Sequence, residues 1–363
     1  MGSIELVVEE ALRRDDLSLI DVRSPAEYSE ASIPGAVNIP LLDDDQRHAL
    51  GLLYRQAGEA AARRAALALV APKLPALVER VAAAAGDKTA LLYCWRGGLR
   101  SLSLCQILGL VGIPALRLKG GYRAYRRYNH LRLESYRLES KMLVLHGLTG
   151  VGKTEVIEEL IRRGYPALDL EGLARHRGSV FGSVGLGQQR SQKDFETLLL
   201  HELDRFHGTP YLVAEGEGRR IGNVHLPGFL VRAMENGSHL LLTASLADRV
   251  RRIVEEYLPP SLSGPELEQI RHAVESLRRR LGPAKTEHLL TRLDQGEYHS
   301  VAEILCRDYY DRLYGDAKPG RYDFAAEIDT ADMHRAVEQT AALIDKLNHA
   351  CRETTREKGV LVK

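Results

Sequence analysis

Short apolar runs alternate with longer amphipathic stretches in the first third of the chain. LSLIDV (17–22) and TALLYC (89–94) have the length and aliphatic content of buried strands, whereas 59–85 carries apolar residues at helical spacing, interrupted near Pro72 and Pro75. Parallel strands need a connection long enough to hold a helix, so strands that alternate with helices favour a parallel sheet. The pattern predicts an α/β domain.

A second α/β pattern begins at Lys141. Its strand candidates are KMLVLHG, YPALDL, PYLVAEG and SHLLLTA, which are separated by segments of helix length. The pattern over 245–316 is almost wholly helical. A last strand candidate, RYDFAAEIDT, precedes an amphipathic helix predicted over about 331–357, and the final GVLVK is left unassigned.

The chain length favours two domains, because one hydrophobic core rarely serves 363 residues. The polar stretch 129–140 has no clear apolar face, so we predict that it is a linker. The first domain is then a parallel-sheet domain over 1–128. The second is an α/β domain over 141–363 with a helical C-terminal part.

Composition narrows the functional classes only a little. Fifty Lys and Arg against 49 Asp and Glu give a net charge of +1, so binding to nucleic acid would depend on local basic patches. The cysteines show neither the density of a disulfide scaffold nor the spacing of a zinc site, so no metal site and a reducing, cytoplasmic setting are expected. The acidic N-terminal segment and the lack of a long apolar run predict neither a signal peptide nor a membrane span.

GLTGVGKT matches the phosphate-loop pattern G-x-x-x-x-G-K-[ST] and stands between a strand and a helix, as the pattern requires. Gly147, Gly150 and Gly152 allow backbone N–H groups to converge on phosphate oxygens, and Lys153 adds a positive charge. Thr154 would bind magnesium if that ion is used. The loop predicts a diphosphate or triphosphate ligand and does not specify a nucleoside.

Two carboxylates follow the strand candidate PYLVAEG. Sites of the phosphate-loop type usually have an acidic partner at the end of a neighbouring strand, and Glu215 and Glu217 occupy that place in this sequence. Either residue alone is equally compatible with an exposed turn. Both are therefore kept as possible acidic partners.

One cysteine ends a strand in YCWRGGLRS. The next helix is predicted to begin near Leu99 or Arg100, so loop N–H groups and the positive helix end would point toward Cys94. Arg96 and Arg100 add positive charge. These features favour the thiolate and predict that Cys94 is a nucleophile or a carrier of an extra chalcogen atom. The remaining cysteines are predicted to be small buried residues: Cys105, Cys306 and Cys351.

Three segments together resemble a rhodanese domain: LSLIDVRSPAEYSEASIPGAVNIP, YCWRGGLRS and LKGGYRAY. The resemblance implies that Asp21 and Arg23 have structural roles. From Cys94 to Arg100 the loop is C-x5-R, one residue longer than the common rhodanese loop and equal in length to that of cysteine phosphatases. A phosphatase of that type normally has His where this chain has Tyr93, which argues against phosphoester hydrolysis.

A rhodanese domain followed by a phosphate-loop domain is similar to the tRNA 2-selenouridine synthase family. LEGLARHRGSVFG and EGEGRRIG resemble that family's own segments, and the resemblance spans nearly the whole chain. It implies that sulfur in wobble 2-thiouridine of tRNA is replaced by selenium, with selenophosphate as selenium donor and Cys94 as carrier. It also implies a first step in which geranyl diphosphate places a geranyl group on the sulfur. No firmly bound cofactor is implied, and the use of magnesium stays open.

Basic residues cluster in RLKGGYRAYRRYNHLR, which contains six Lys or Arg, three Tyr and no acid. This composition suits phosphate contacts and base stacking, so Arg123, Arg126 and Arg127 are candidates for binding tRNA. Arg175 and Arg177 in RHRG are further candidates. A solvated helix face is the alternative for each of these residues.

Two other functions are compatible with the motifs. One is a bifunctional enzyme that couples a sulfurtransferase to an ATP-dependent small-molecule kinase, because SLADRVRRIVEEY resembles an arginine-bearing kinase lid. The other is an RNA-binding module with relic catalytic loops. Both loops keep the residues that their chemistry needs, which favours an enzyme.

Overall fold

The computed structural model describes residues 5–258, 264–313 and 322–360, with side chains to residue 347. It divides the chain into two compact units. The first contains Met1–Ser135 and Ser191–His201, and the second contains Tyr136–Arg190 and Glu202–Lys363.

The strands of the described residues are β1 (Glu5–Leu6), β2 (Leu17–Asp21), β3 (Val37–Asn38), β4 (Thr89–Tyr93), β5 (Ala115–Leu118), β6 (Lys141–His146), β7 (Ala167–Leu168), β8 (Tyr211–Glu215), β9 (Arg220–Ile221), β10 (Val224–His225), β11 (Ser238–Thr243) and β12 (Phe324–Asp329). The α-helices are α1 (Val8–Ala11), α2 (Pro25–Glu30), α3 (Asp44–Val70), α4 (Leu74–Ala85), α5 (Leu99–Leu110), α6 (Gly121–Glu134), α7 (Lys153–Arg162), α8 (Leu170–Ala174), α9 (Gln192–Arg205), α10 (Gly228–Glu235), α11 (Leu246–Tyr257), α12 (Gly264–Ser276), α13 (Arg278–Leu281), α14 (Pro283–Asp294), α15 (Tyr298–Leu305), α16 (Asp311–Leu313) and α17 (Met333–Val360). A 3₁₀ turn at Ala71–Lys73 joins α3 to α4, and a π-helical turn at Cys306–Tyr310 joins α15 to α16.

The first unit contains a five-stranded sheet in the order β1-β5-β4-β2-β3, with every neighbouring pair parallel. Its central strand β4 is buried on both faces, which explains the continuous apolar run in the sequence. The predicted strands and the predicted parallel sheet are confirmed. Because β4 and β2 are parallel, their carboxyl ends, Tyr93 and Asp21, lie side by side.

The second unit contains a parallel sheet in the order β12-β11-β6-β8-β7. One face packs against α7 and α17 and forms a core that includes Leu143, Leu145, Val156 and Ala336. The predicted α/β domain with a helical C-terminal part is confirmed, since helices α11 to α16 follow β11. The parts of that predicted region over 259–263 and 314–316 lie outside the described residues.

The structure departs from the predicted linker over 129–140. Helix α6 continues to Glu134 and buries Asn129 and Leu133 in the first unit. Asn129 Nδ2 donates a hydrogen bond of 3.2 Å to Thr197 Oγ1, 68 residues further along the chain. The helical face is hard to see in the sequence because one of its buried positions is polar.

Two further features were not predicted. Strands β9 and β10 form a small antiparallel pair directly after β8. Helix α3 is broken at Gly58, whose φ of 80° lies in the left-handed region that glycine adopts without strain. In the part of the chain that is described, no helix combines the length and apolar character that a membrane span needs.

Candidate functional site

Cys94 lies directly after β4 and is 3% exposed. The backbone N–H of Gly98, which caps α5, lies 3.2 Å from Cys94 Sγ and donates to it. Ser101 Oγ lies 3.3 Å from the same sulfur. The thiol therefore faces a helix N-terminus, as the sequence predicts, in a setting that stabilises negative charge on sulfur.

The loop around Cys94 rests on the first residues of α6. Backbone N–H groups of Tyr122 and Arg123 donate 2.9 Å hydrogen bonds to the carbonyls of Cys94 and Trp95. A Cβ atom at Gly121 would lie 2.2 Å from the carbonyl oxygen of Cys94. Close backbone approach thus requires glycine at this position and fixes the shape of the loop.

The two arginines of the loop differ in their surroundings. Arg96 is exposed. Arg100 forms a two-point ion pair with Glu27, with N–O distances of 2.6 Å and 3.3 Å. Burial alone would raise the pKa of Glu27, but the hydrogen bonds from Arg100 lower it. The positive charge that Arg100 adds to the loop is therefore matched by Glu27.

Asp21 and Arg23 form a buried ion pair beside this loop. Arg23 makes hydrogen bonds of 2.6 Å and 2.9 Å to Asp21 Oδ2, and it donates a 2.7 Å bond to the carbonyl of Ala31. Its guanidinium lies 4.0 Å from the ring centroid of Tyr122. These contacts join β2 to the start of α6, which fits the structural roles implied by the resemblance.

The phosphate loop of the second unit has the predicted strand–loop–helix setting. Gly147, Gly150 and Gly152 have φ values of 152°, 81° and 87°, so all three use backbone conformations that favour glycine. Lys153 Nζ donates a 3.1 Å hydrogen bond to the carbonyl of Gly147, which places the ammonium group across the mouth of the loop. Thr154 is the second residue of α7.

Two buried arginines of α11 contact the backbone of this loop. Arg249 donates a 2.8 Å hydrogen bond to the carbonyl of Thr149 and pairs with Asp311 at 2.6 Å. Arg252 lies 3.4 Å from the carbonyl of Gly150 and 3.1 Å from Thr330 Oγ1. Both side chains are buried contacts of the loop, and the kinase-lid interpretation of this helix stays an alternative.

Three glutamates lie near the phosphate loop, in α8, at the end of β8 and just after β8. Glu215 is fully buried and accepts hydrogen bonds from the N–H groups of Leu170 and Glu171 at 3.4 Å and 3.3 Å. Burial raises its pKa well above the usual range, and the carboxylates of Asp169 and Glu171 add to the shift. The exposed-turn alternative is therefore wrong for Glu215.

Glu171 and Glu217 converge on one glycine. A Cβ at Gly178 would lie 2.8 Å from Glu217 Oε2 and 3.0 Å from Glu171 Oε1. Thr154 Oγ1 donates a 3.3 Å hydrogen bond to Glu171 Oε2. Burial, followed by repulsion from Glu217, raises the pKa of Glu171 to about 8. Sequence reasoning missed Glu171, although it lies in the segment LEGLARHRGSVFG.

A cavity of about 830 Å³ lies beside these groups in the second unit. The phosphate loop, Lys153, Arg252, Glu171 and Glu217 form its polar part, and residues of β6, α10 and β11 form another wall. Within the described residues, no group of three or more His, Cys, Asp or Glu side chains could hold a metal ion. The cavity can accept a phosphorylated ligand of moderate size.

Comparison with known proteins identifies a matching domain family for each part of the chain. Residues 7–128 match the rhodanese-like domain, and residues 140–342 match the tRNA 2-selenouridine synthase AAA domain. Proteins named tRNA 2-selenouridine synthase from Cupriavidus necator and Verminephrobacter eiseniae are 37% and 36% identical to this chain. The alignments cover 82% and 86% of this chain and 87% and 93% of those proteins.

The chain belongs to the tRNA 2-selenouridine synthase family. A further relative of that name, from Pseudomonas syringae pv. tomato, is 34% identical over 87% of this chain and 93% of its own. The protein is thus an enzyme of selenium modification in tRNA.

The predicted tRNA-binding residues of α6 differ in their exposure. Arg123 and Arg127 are exposed on α6, whereas Arg126 pairs with Glu196. Tyr122 and Tyr125 are 1% and 5% exposed. The expected base stacking on these two tyrosines is therefore wrong, because both rings belong to the core of the first unit.

The two arginines of RHRG differ in their exposure and in their contacts. Arg175 is exposed and stands just after α8 with a φ of 52°. Arg177 pairs with Glu256 at 2.5 Å, lies 4.9 Å from the ring centroid of Tyr257 and lines the cavity. Arg177 thus has the contacts of a cavity-wall residue, and Arg175 those of a surface residue.

Proposed function

We propose that this enzyme converts 2-thiouridine at the wobble position of tRNA to 2-selenouridine through an S-geranylated intermediate. The donors are geranyl diphosphate and selenophosphate. The observation that carries the proposal is the pairing, in one chain, of a phosphate loop facing a cavity with a cysteine loop in which a backbone N–H group donates to sulfur. Each loop suits one of the two steps.

In the first step, the sulfur of 2-thiouridine forms a bond to C1 of the geranyl group while the C1–O bond to diphosphate breaks. The N–H groups of the phosphate loop and Lys153 stabilise the leaving diphosphate, whose negative charge grows as the bond breaks. The uracil base gives up its N3 proton, which the carboxylate of Glu217 in the same cavity can accept, since Glu171 with its raised pKa already holds a proton near neutral pH.

In the second step, selenium replaces the alkylated sulfur. The C2–Se bond forms, the C2–S bond breaks, geranylthiol leaves and the phosphoryl group of the donor passes to water. The loop around Cys94 is the proposed site of this exchange. The Cys94 thiol forms a bond to C2 as geranylthiol leaves, and the selenium of the donor then displaces the thiol from C2, so selenium stays at the selenide level throughout. Exposed Arg96 supplies positive charge for an anionic donor.

Thermal unfolding in the presence of ligands tests the proposal. Geranyl diphosphate should raise the unfolding temperature of the wild type more than ATP does, because a ligand that binds the folded state more tightly stabilises it more. Lys153→Ala should lose this protection and lose geranyl transfer to a 2-thiouridine RNA. Lys141→Ala, at the exposed start of β6, is the matched control and should behave like the wild type.

The kinase alternative makes the opposite prediction. Strong protection by ATP, none by geranyl diphosphate and no geranylated nucleoside in digested RNA would reject the proposal. Undiminished geranyl transfer by Lys153→Ala would reject the assignment of the phosphate loop to the first step.

A further inference from the structure

The two faces of β6 have different surroundings. Leu143 and Leu145 point into the core formed with α7 and α17. Val144 and His146 alternate with them and line the cavity, as do Val231 and Met234 of α10. The cavity therefore extends from the phosphate loop along the sheet face opposite α7.

Aromatic rings form the floor of this extension. His146 stacks on Tyr322 with a centroid distance of 4.6 Å, and His239 lies 4.1 Å from the same ring. His146 Nε2 and His239 Nδ1 are 2.9 Å apart and share a hydrogen bond. The three rings therefore form one aromatic cluster that lines the cavity.

The cavity is thus amphipathic along its length. Its phosphate-loop end carries Lys153 and Arg252, and its other end carries aliphatic and aromatic side chains, with the exposed ion pair of Arg219 and Glu235 at the rim. We use the name apolar slot for the second end, which is lined by Val144, His146, Val231, Met234, His239 and Tyr322. A ligand with a diphosphate head and a hydrocarbon tail matches this division.

We propose that the apolar slot holds the hydrocarbon chain of an allylic diphosphate and that Val231 and Met234 determine the chain length accepted. The proposal rests on the proposed function and assigns the part of the ligand that the phosphate loop does not contact. Val231 is partly exposed and Met234 is 6% exposed, so both border the space in which a chain would lie.

The aromatic floor also suits the chemistry of the first step. As the C1–O bond breaks, positive charge develops over the allylic carbons, and the π system of Tyr322, which lines the slot, can attract a cation. Burial lowers the pKa of His239, which keeps its imidazole neutral and so avoids repulsion of that charge. The slot would in this way both select the chain length and stabilise the positive charge of the transition state.

Chain-length selectivity tests the assignment. We would measure transfer of dimethylallyl, geranyl and farnesyl groups, with five, ten and fifteen carbons, to a 2-thiouridine RNA. Val231→Trp should fill the slot and lower kcat/KM for geranyl transfer by about tenfold or more, with dimethylallyl transfer changed by less than about threefold. Met234→Ala should lengthen the slot and raise farnesyl transfer relative to geranyl transfer.

The same helix supplies a matched control. Arg232→Trp places an identical side chain on the exposed side of α10 and should leave chain selectivity unchanged. Thermal protection by inorganic diphosphate, which lacks a chain, should persist in Val231→Trp and shows that the fold and the phosphate loop are intact.

Two results would overturn the assignment. One is an equal loss of all three transfers in Val231→Trp with diphosphate protection retained. The other is weaker binding of the RNA with unchanged chain selectivity, which would place the uridine base in the slot. Failure of the proposed function is distinct, because the wild type itself would then transfer none of the three chains.

Discussion

Thr154 of the phosphate loop donates a 3.3 Å hydrogen bond to Glu171, a residue 17 positions away that follows β7. The bond joins the helix that follows the phosphate loop to a carboxyl group whose pKa is raised to about 8. Two oxygens, from Thr154 and Glu171, thus stand together where a diphosphate or a magnesium ion would bind. The protonation of Glu171 therefore affects both stability and ligand binding.

Replacing Glu171 by Gln should remove a pH dependence of stability. Burial and Glu217 raise the pKa of Glu171 from its ordinary 4.5 to about 8, so the folded protein holds a proton that the unfolded chain releases. The unfolding free energy contributed by this group is present below pH 4.5 and is lost as pH rises through 8. At pH 9 the Gln variant should be more stable than the wild type by about 2 kcal/mol, allowing for screening in the open cavity.

Urea denaturation at pH 4, 6 and 9 measures this difference. Glu235→Gln, at an exposed position on the cavity rim, should follow the wild-type curve. Parallel curves for Glu171→Gln and the wild type across the range would show that Glu171 is not held in its neutral form.

Cys94→Ser should stop the reaction at the geranylated intermediate. Geranylation needs no thiol, whereas displacement of geranylthiol from C2 needs a good nucleophile, and a hydroxyl group is a poor one. Nucleoside analysis of reacted tRNA should show S-geranyl-2-thiouridine accumulating and 2-selenouridine reduced by at least about 100-fold. Cys105→Ser is the control, because that thiol is buried on α5 and bonds to the carbonyl of Ala115. Normal selenouridine yield in Cys94→Ser would refute the role of the Cys94 thiol in the second step.

Charge reversal at Arg123 and Arg127 should weaken tRNA binding. Both side chains are exposed on α6, and a surface that neutralises fewer phosphates releases fewer counterions when it binds. The slope of log affinity against log salt should fall by about 2 in magnitude for the double Glu variant. Arg55→Glu with Arg64→Glu makes the same charge change on exposed positions of α3. An equal effect in the control pair would show that net charge, and not this surface, governs binding.

Asp21→Asn should destabilise the first unit strongly. Arg23 is 1% exposed and would be left with an unpaired buried charge, which costs about 3–5 kcal/mol. The single tryptophan, Trp95, lies in the cysteine loop and reports unfolding of this unit by fluorescence. Asp16→Asn, in an exposed pair with Arg14, should leave the stability close to that of the wild type. A similar destabilisation in both variants would contradict a special role for the buried pair.

Local patterns in the sequence determined the framework of this protein. The apolar runs became β2, β4, β6, β8 and β11 because a buried parallel strand is apolar on both faces. Glycines in fixed spacing, together with Lys153, defined the phosphate loop, since its shape depends on backbone freedom at those positions. Likewise, Cys94 could be placed before a helix N-terminus from the order of strand, loop and helix alone.

Contacts between distant residues were decided only by the tertiary structure. Arg100 pairs with Glu27 across 73 positions, and Arg249 reaches the carbonyl of Thr149 across 100. The local pattern predicted only that Arg100 adds positive charge to the cysteine loop and that the tyrosines of α6 suit base stacking. The partner of a charge and the burial of a ring depend on which elements pack together, and no local pattern encodes that. For the same reason, no sequence pattern predicted Glu171 or the apolar slot. Their residues come from separate strands and helices that pack together only in the folded protein.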